Sequence, residues 1–312
     1  MEQDMKYIYQ IYKDRSFSKA ADHLYITQPA LSVAVKRVEE TIGSPLFDRS
    51  QRPLGLTEAG KVYIEAIKHI SFLEDDLASQ ITDLKELKKG SLTIGGTHYL
   101  NCYIFAPFLS AFMKRYPGIE VSVVETSAYQ LVEKLNDREI DLTFSCDPEM
   151  IRHFDHTPLF EDRVLLAVHK DIPLDSSLSD YALTAKDILQ RKHIDAPKAP
   201  LSAFRDLDFI LLGKGNNLYT RSQQMFKEAG FTPKTIMTIA QLVTAFRFAD
   251  NGIGATFICD RLIRSAKSNL LFYPIDSEHT IRSFHLLISN RTYTPYAVRT
   301  FAREVFEYMH SQ

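Results

Sequence analysis

Ser16-Phe-Ser-Lys-Ala-Ala-Asp-His-Leu24 and, one residue on, Ile26-Thr-Gln-Pro-Ala-Leu-Ser32 are the stretch on which the reading of this chain turns. Two short helical patterns meet there across a tight turn. Ser16 or Ser18 can cap the first, whose inward residues are Ala20, Ala21 and Leu24. Small alanines let two helices cross steeply at close range, as a helix-turn-helix requires. Ile26 plugs the gap between them. Thr27 is the N-cap of the second helix, and Pro29 falls in its first turn, where a missing N–H costs nothing. Ala30, Leu31, Ala34, Val35 and Val38 supply its buried side, which leaves Gln28, Ser32, Val33, Lys36 and Arg37 on other faces. Such a helix enters the major groove N-terminus first. Gln28 can pair with adenine, Ser32 can reach a base or a phosphate, and Val33 offers an apolar contact such as a thymine methyl. Lys36 and Arg37 suit the phosphate backbone.

Upstream, Met5, Ile8, Tyr9 and Tyr12 share one helical face. Downstream, Gly43 ends the reading helix. Leu46-Phe47 and Leu54 to Leu56 then frame a hairpin around Arg49-Ser-Gln-Arg52-Pro53. A basic hairpin beside a reading helix is a wing, which lays Arg49 or Arg52 along a phosphate or into the minor groove. Charge limits this picture. The whole chain carries a net charge of -2. A binder so nearly neutral must gather its cations on one face, with Lys19, Lys36, Arg37, Arg49 and Arg52 as candidates. A plain protein-interaction head remains an alternative.

Thr57 caps a further helix with Glu58 at its first position, and no proline follows until Pro107. The Lys88-Lys89 pair and Gly90 mark its expected end. About thirty residues at ~1.5 Å each make a rod of roughly 45 Å. Tyr63, Ala66, Ile70, Leu73, Leu77, Gln80, Leu84 and Leu87 form a stripe with 3–4 spacing, suited to a coiled coil with a second copy. Packing of the rod on its own C-terminal part is the alternative. Residues 1–57, 58–90 and 91–312 therefore read as head, linker helix and sensor.

The sensor alternates strands and helices, which predicts a mostly parallel α/β sheet. The series occurs twice, so two lobes are expected: about 91–161 with 264–312, and about 162–263. Ligands in such sheets sit beyond the carboxyl ends of strands, near helix N-termini. The polar residues there are Thr97, Thr126-Ser127, Ser145, Asn216-Asn217, Gln241 and Thr256, a set suited to a small anion such as a carboxylate. Enzyme signatures are weak. Gly213-Lys-Gly-Asn216 lacks the full phosphate loop, and no Gly-x-Ser-x-Gly occurs. His153 and His156, near Asp155 and Asp162, read as a solvated loop rather than a metal site. No catalytic set, metal or cofactor is expected. An α/β enzyme with a regulatory head is the remaining alternative. Three scattered cysteines, Cys102, Cys146 and Cys259, fit a reducing compartment, and no leader or membrane span is visible, so a cytoplasmic location is expected.

The ordered motifs resemble the LysR-type transcriptional regulators. The resemblance rests on Ser-Phe-Ser-x-Ala-Ala-x-x-Leu at 16–24, Thr27 to Ser32, Val38-Glu39, Gly43 to Arg49 and Leu56-Thr-Glu-Ala-Gly60. It continues through Tyr116-Pro117-Gly118 and Glu139-Ile-Asp-Leu142 to Asp250-Asn-Gly-Ile-Gly254. It implies a winged helix-turn-helix head on double-stranded promoter DNA, a long linker helix that pairs subunits, and a two-lobed α/β effector domain like periplasmic binding proteins. Homodimers, homotetramers and contact with RNA polymerase are expected with it. Carried over, the DNA-facing residues are Thr27, Gln28, Pro29, Ser32, Lys36 and Arg49, and the effector positions are Thr97, Ser127, Gln241 and Thr256. Val33-Ala34 stands where many members have Arg-Gln, which makes base reading less polar there. Cys259 stands where proline is common. Residues 180–199 look like an insertion, expected to form a short helix that flanks the cleft or an oligomer contact.

Overall fold

The computed structural model describes residues 2–85 and 89–311. Contacts divide the chain into two units, Met1–Leu87 with Arg291–Pro295, and Lys88–Asn290 with Tyr296–Gln312.

The first unit contains α1 (Gln3–Asp14), α2 (Phe17–His23), α3 (Gln28–Ile42), β1 (Phe47–Asp48), β2 (Gly55–Leu56) and α4 (Glu58–Lys85). Ser16 caps α2 by accepting from the Lys19 amide. Gly43, at φ 78°, ends α3 in the left-handed region that glycine adopts without penalty. β1 and β2 form the antiparallel wing, pairing Phe47 with Leu56. The core joins Ile8 and Ile11, Ala20 and Ala21, Leu31 and Val35, and Leu46 and Phe47. Ala30 is exposed and takes no part in it, which corrects the expectation for that residue. It belongs to the first turn of α3, which is exposed together with Thr27, Gln28 and Pro29.

Ile64 and Ile67 of α4 complete this core. The linker helix is thus built into the head at its first turns. Gly60 shows how closely, because a Cβ there would lie 2.0 Å from the Leu46 carbonyl oxygen. Farther along, Leu73, Leu77, Ile81 and Leu84 are exposed, Leu77 by 58%. Ala66 and Gln80 of the predicted stripe are exposed as well, and Tyr63 and Ile70 are half-buried. Leu87 lies outside the described residues. On its other side α4 holds residues 291–295: the Thr292 amide and hydroxyl donate to Asp76, and the Tyr293 hydroxyl to Asp83 at 2.7 Å.

The second unit begins with β3 (Gly90–Gly96), so Gly90 starts a strand where the sequence suggested a helix end. There follow α5 (His98–Leu100), a π turn over Asn101–Phe105, α6 (Ala106–Arg115), β4 (Ile119–Glu125), α7 (Ala128–Asn136), β5 (Leu142–Ser145), α8 (Pro148–Ile151) and β6 (Asp155–His169). Next come α9 (Ala185–Leu189), β7 (Asp208–Leu212), α10 (Asn217–Glu228), β8 (Lys234–Ile239), α11 (Leu242–Asp250), β9 (Thr256–Cys259), β10 (Leu270–Pro274), β11 (Ile281–Ile288) and α12 (Tyr296–His310).

The strands make two lobes around one long strand. β6 pairs with β11 through Asp155–Arg163 and with β9 and β10 beyond that point. The first lobe runs β6-β11-β5-β3-β4. In the second, a bridge from Phe209 to Ala255 links the parallel pair β7-β8 to β9. Parallel pairing holds for β4-β3-β5 and β7-β8, as the alternation predicts. β11, β9 and β10 run antiparallel to β6, so the sheets are mixed. Because β10 pairs with β6 residues 165–169, the chain rejoins the first lobe near Ile281 rather than near residue 264.

Residues 180–199 form a turn, α9 and a second turn against the outer edge of β10, through bridges Leu183 to Phe272 and Ala199 to Ile275. His193 inside this segment is buried and meets Asp260 at 2.9 Å. This segment therefore braces the second lobe, and none of its residues lines the cleft described below.

Candidate DNA interface and effector cleft

Thr27 caps α3 by accepting from the Ala30 amide at 3.4 Å. With Pro29 in the first turn, the N-terminus of α3 is well defined and exposed. Thr27, Gln28 and Pro29 are solvent-facing, Ser32 is partly so, and Val33 is 69% exposed. Gln28 donates its amide to the Ser32 hydroxyl at 3.0 Å, so the two act as one polar pair one turn apart. Lys36 pairs loosely with Glu40 at 3.6 Å. Arg37 is more firmly engaged, holding Asp4 at 2.6 Å across to α1. In the wing, Arg49 lies over the Phe17 ring, 4.9 Å from its centroid, and 3.7 Å from Glu39. Arg52 is exposed at the tip. Within this unit the helix start and the wing both present polar and basic groups to solvent.

In the second unit a cleft of about 830 Å³ opens between the lobes. Thr97, Ser127, Ser145, Asn217 and Gln241 all line it. They come together because each stands at the carboxyl end of a strand or the start of a helix. The N-termini of α7, α10 and α11 converge on the space, with Ser127, Asn216 and Gln241 at the positions that precede them. Their free amides and dipoles favour negative charge. Gln241 and Thr97 make no capping bond with their side chains, whereas Ser127 accepts from the Gln130 amide. Ser145 is buried and accepts from the Asp147 amide at 3.1 Å.

Thr256 does not belong to the cleft. It is buried and donates to the Ile210 carbonyl at 2.7 Å, which fastens β9 to β7. Standing at the start of β9, it meets the sheet interior and not the strand end.

The floor was not legible from strand ends. Tyr99, Phe144, Cys146, Arg282 and Phe284 form part of the lining. Cys146, from the first lobe, donates its thiol to Asn217 of the second at 3.3 Å. Arg221 donates to the same Asn217 oxygen at 2.8 Å and to the His279 and Ile281 carbonyls at 2.9 and 2.7 Å. Burial pushes the Cys146 thiol up to about 11 and raises Cys259 well above its usual value, so both stay protonated. The clue available in the sequence was Arg282 inside an otherwise strand-like run, Ile281 to Ile288.

The LysR substrate binding domain family matches residues 85–309, and the bacterial regulatory helix-turn-helix protein, lysR family, matches residues 3–61. This chain belongs to the LysR family of transcriptional regulators. This LysR-family regulator is 30% identical over 287 residues to the uncharacterized HTH-type transcriptional regulator YcgK of Bacillus subtilis strain 168, across 92% of this chain and 88% of that protein. It is 38% identical over 149 residues to the transcriptional activator CmpR of Synechocystis, across 46% of this chain and 49% of that protein. Its fold is similar to that of full-length CbnR in complex with target DNA, at 17% identity and a TM-score of 0.61, covering 99% of this chain and 100% of that one. A cysteine-to-aspartate variant of full-length OxyR from Pseudomonas aeruginosa has a TM-score of 0.63 at 20% identity, covering 97% and 93%. The LysR-family regulator is thus a DNA-binding transcription regulator with a winged helix-turn-helix, a linker helix and a two-lobed effector-binding domain. Among the described residues no helix is long and apolar enough to cross a membrane.

Proposed function

We propose that this regulator reads promoter DNA through Thr27, Gln28, Pro29, Ser32 and Val33, steadied on phosphates by Lys36, Arg37, Arg49 and Arg52. A small carboxylate held by Thr97, Ser127, Ser145, Asn217 and Gln241 modulates that complex. The observation that carries the effector reading is the convergence of three helix N-termini on one cleft of about 830 Å³. That size suits small-molecule sites, which run roughly 300–1,000 Å³.

The mechanism is linkage. An acid that binds one arrangement of the lobes more tightly than another shifts their populations, and an acid that binds both equally shifts nothing. The exposed Leu73, Leu77, Ile81 and Leu84 of α4 support pairing of two copies. Two heads held at a set separation then read a palindromic site. Assembly to a tetramer, contact with RNA polymerase and a cytoplasmic location complete the reading.

A thermal-shift screen of the full chain with small acids, amino acids and aromatic metabolites tests the effector class. An acid that raises the melting temperature of the natural chain, and raises it less in a Ser127→Ala, Gln241→Ala double variant, supports the reading. No acid doing so would overturn it.

A further inference from the structure

The cleft floor holds a cation that helix N-termini do not explain. Arg282, on β11, is 5% exposed and forms part of the lining. Its Nε donates to Asp162 Oδ1 at 2.7 Å, and Nη2 reaches both Asp162 Oδ2 and the Cys259 sulfur. The Tyr99 hydroxyl also donates to Asp162, at 3.0 Å. The rings of Phe284 and Tyr99 flank the guanidinium, with centroids 4.9 and 5.7 Å from Cζ. Every protein bond of this side chain thus uses Nε or Nη2. Among the described residues Nη1 has no acceptor, yet it is not one of the sealed polar atoms without a partner. The residue that carries this spare donor lines the cleft.

The charges around it leave that donor uncommitted. Arg221 stands near enough to feel Arg282 and Asp162, and its bonds go to Asn217 and two carbonyls, with no carboxylate in ion-pair range among the described residues. Among those residues Asp162 forms an ion pair with Arg282 alone, and its field also reaches Arg221. The acidic residues of the lining, Glu125 and Asp147, accept from the Asn101 side chain and the Glu149 amide, and Lys214 stands with them in the lining. An arginine keeps its charge at any working pH, and a planar donor fixed on one edge by a carboxylate presents its other edge in a set direction.

We propose that Arg282 Nη1 is a second anchor for the effector, and that the effector is a two-ended acid. One carboxylate sits at the N-termini of α7, α10 and α11. A second acceptor oxygen, carboxylate or carbonyl, receives Nη1, and the carbon body lies against Tyr99, Phe144 and Phe284. The inference rests on the cleft being the effector site and adds the class of molecule that fills it.

Calorimetric titration of the full chain with matched pairs tests it: adipate against hexanoate, and 4-oxopentanoate against pentanoate. The two-ended member of at least one pair binds about tenfold tighter or better in the natural chain. In Arg282→Lys, which keeps a cation opposite Asp162, the ratio falls to about one while the one-ended acid binds as before. Equal affinities within both pairs, or a ratio that survives in Arg282→Lys, overturn the anchor and leave the carboxylate reading standing. No binding by any of the four acids fails that reading and the inference with it. Should Arg282→Lys lose its near-ultraviolet circular dichroism, a crystal structure of the natural chain with the tighter acid decides. An acceptor oxygen within hydrogen-bond distance of Nη1 supports the anchor, and both ends bound elsewhere overturn it.

Discussion

Gln28 must give up its bond to the Ser32 hydroxyl, 3.0 Å long, before its amide can pair with a base. That exchange costs little, because both groups are solvated in the free protein and both find partners in the groove. Gln28→Ala is expected to weaken operator binding by about 1–3 kcal/mol while leaving most non-specific binding. A mobility-shift titration against operator and scrambled duplex checks it, and equal loss on both would refute base reading. Arg37 reaches a phosphate only by releasing Asp4, an exposed pair worth roughly 0–1 kcal/mol. Cysteine chemistry separates by burial. Cys102 is exposed, and Cys146 and Cys259 are buried and held protonated. At pH 8 a thiol reagent is expected to titrate Cys102 at once, Cys146 in the cleft lining slowly and Cys259 only on unfolding; a fast second equivalent would contradict this. Burial alone would raise the Asp260 carboxyl, but bonds from His193 and the Arg163 and Arg261 amides hold it below its usual value. A carboxyl lowered in the folded state stabilises above its unfolded pKa of about 4, and the contribution fades as pH falls through the folded value. Asp260→Asn should therefore destabilise at pH 7 by roughly 1.5–3 kcal/mol, as for lost hydrogen bonds to a charged group. Denaturant melts should show the gap closing only below about pH 4.

At the level of elements, α4 carries two separate commitments. Its capping Thr57 and the stripe from Leu73 to Leu84 follow helical periodicity and could be read from the sequence. That Ile64 and Ile67 finish the head core could not, because the same periodicity fits any partner surface. Gly60 makes the difference testable. In an open helix, alanine for glycine gains about 1 kcal/mol, but here a Cβ would meet the Leu46 carbonyl at 2.0 Å. Gly60→Ala is expected to lower the melting temperature of the head, measured by differential scanning calorimetry, and an increase would mean that the helix and wing separate easily. On the exposed side, Leu73→Lys with Leu77→Lys should break pairing of copies without unfolding the chain. Light scattering reads the mass, and an unchanged oligomer would remove α4 from the interface.

Across the molecule, motif order at 16–60 made the head, the linker and their family legible, because each residue there answers a local demand. A cap must precede a helix, a small residue must sit at a steep crossing, and a proline must fall in a first turn. Strand-helix alternation likewise exposed a two-lobed α/β sensor and most of the cleft's rim, since strand ends and helix starts are local features. Antiparallel pairing along β6, the return of the chain near Ile281 and the bracing role of residues 180–199 came only from tertiary structure. So did the loss of Thr256 to the sheet interior and the gathering of Tyr99, Cys146, Asp162, Arg221 and Arg282 into one neighbourhood. Those residues lie far apart in the chain, and what joins them is the fold bringing a buried charge, its counter-ion and a spare donor to the same point. Local chemistry is written in neighbouring residues; the direction in which a buried side chain faces depends on every element packed around it.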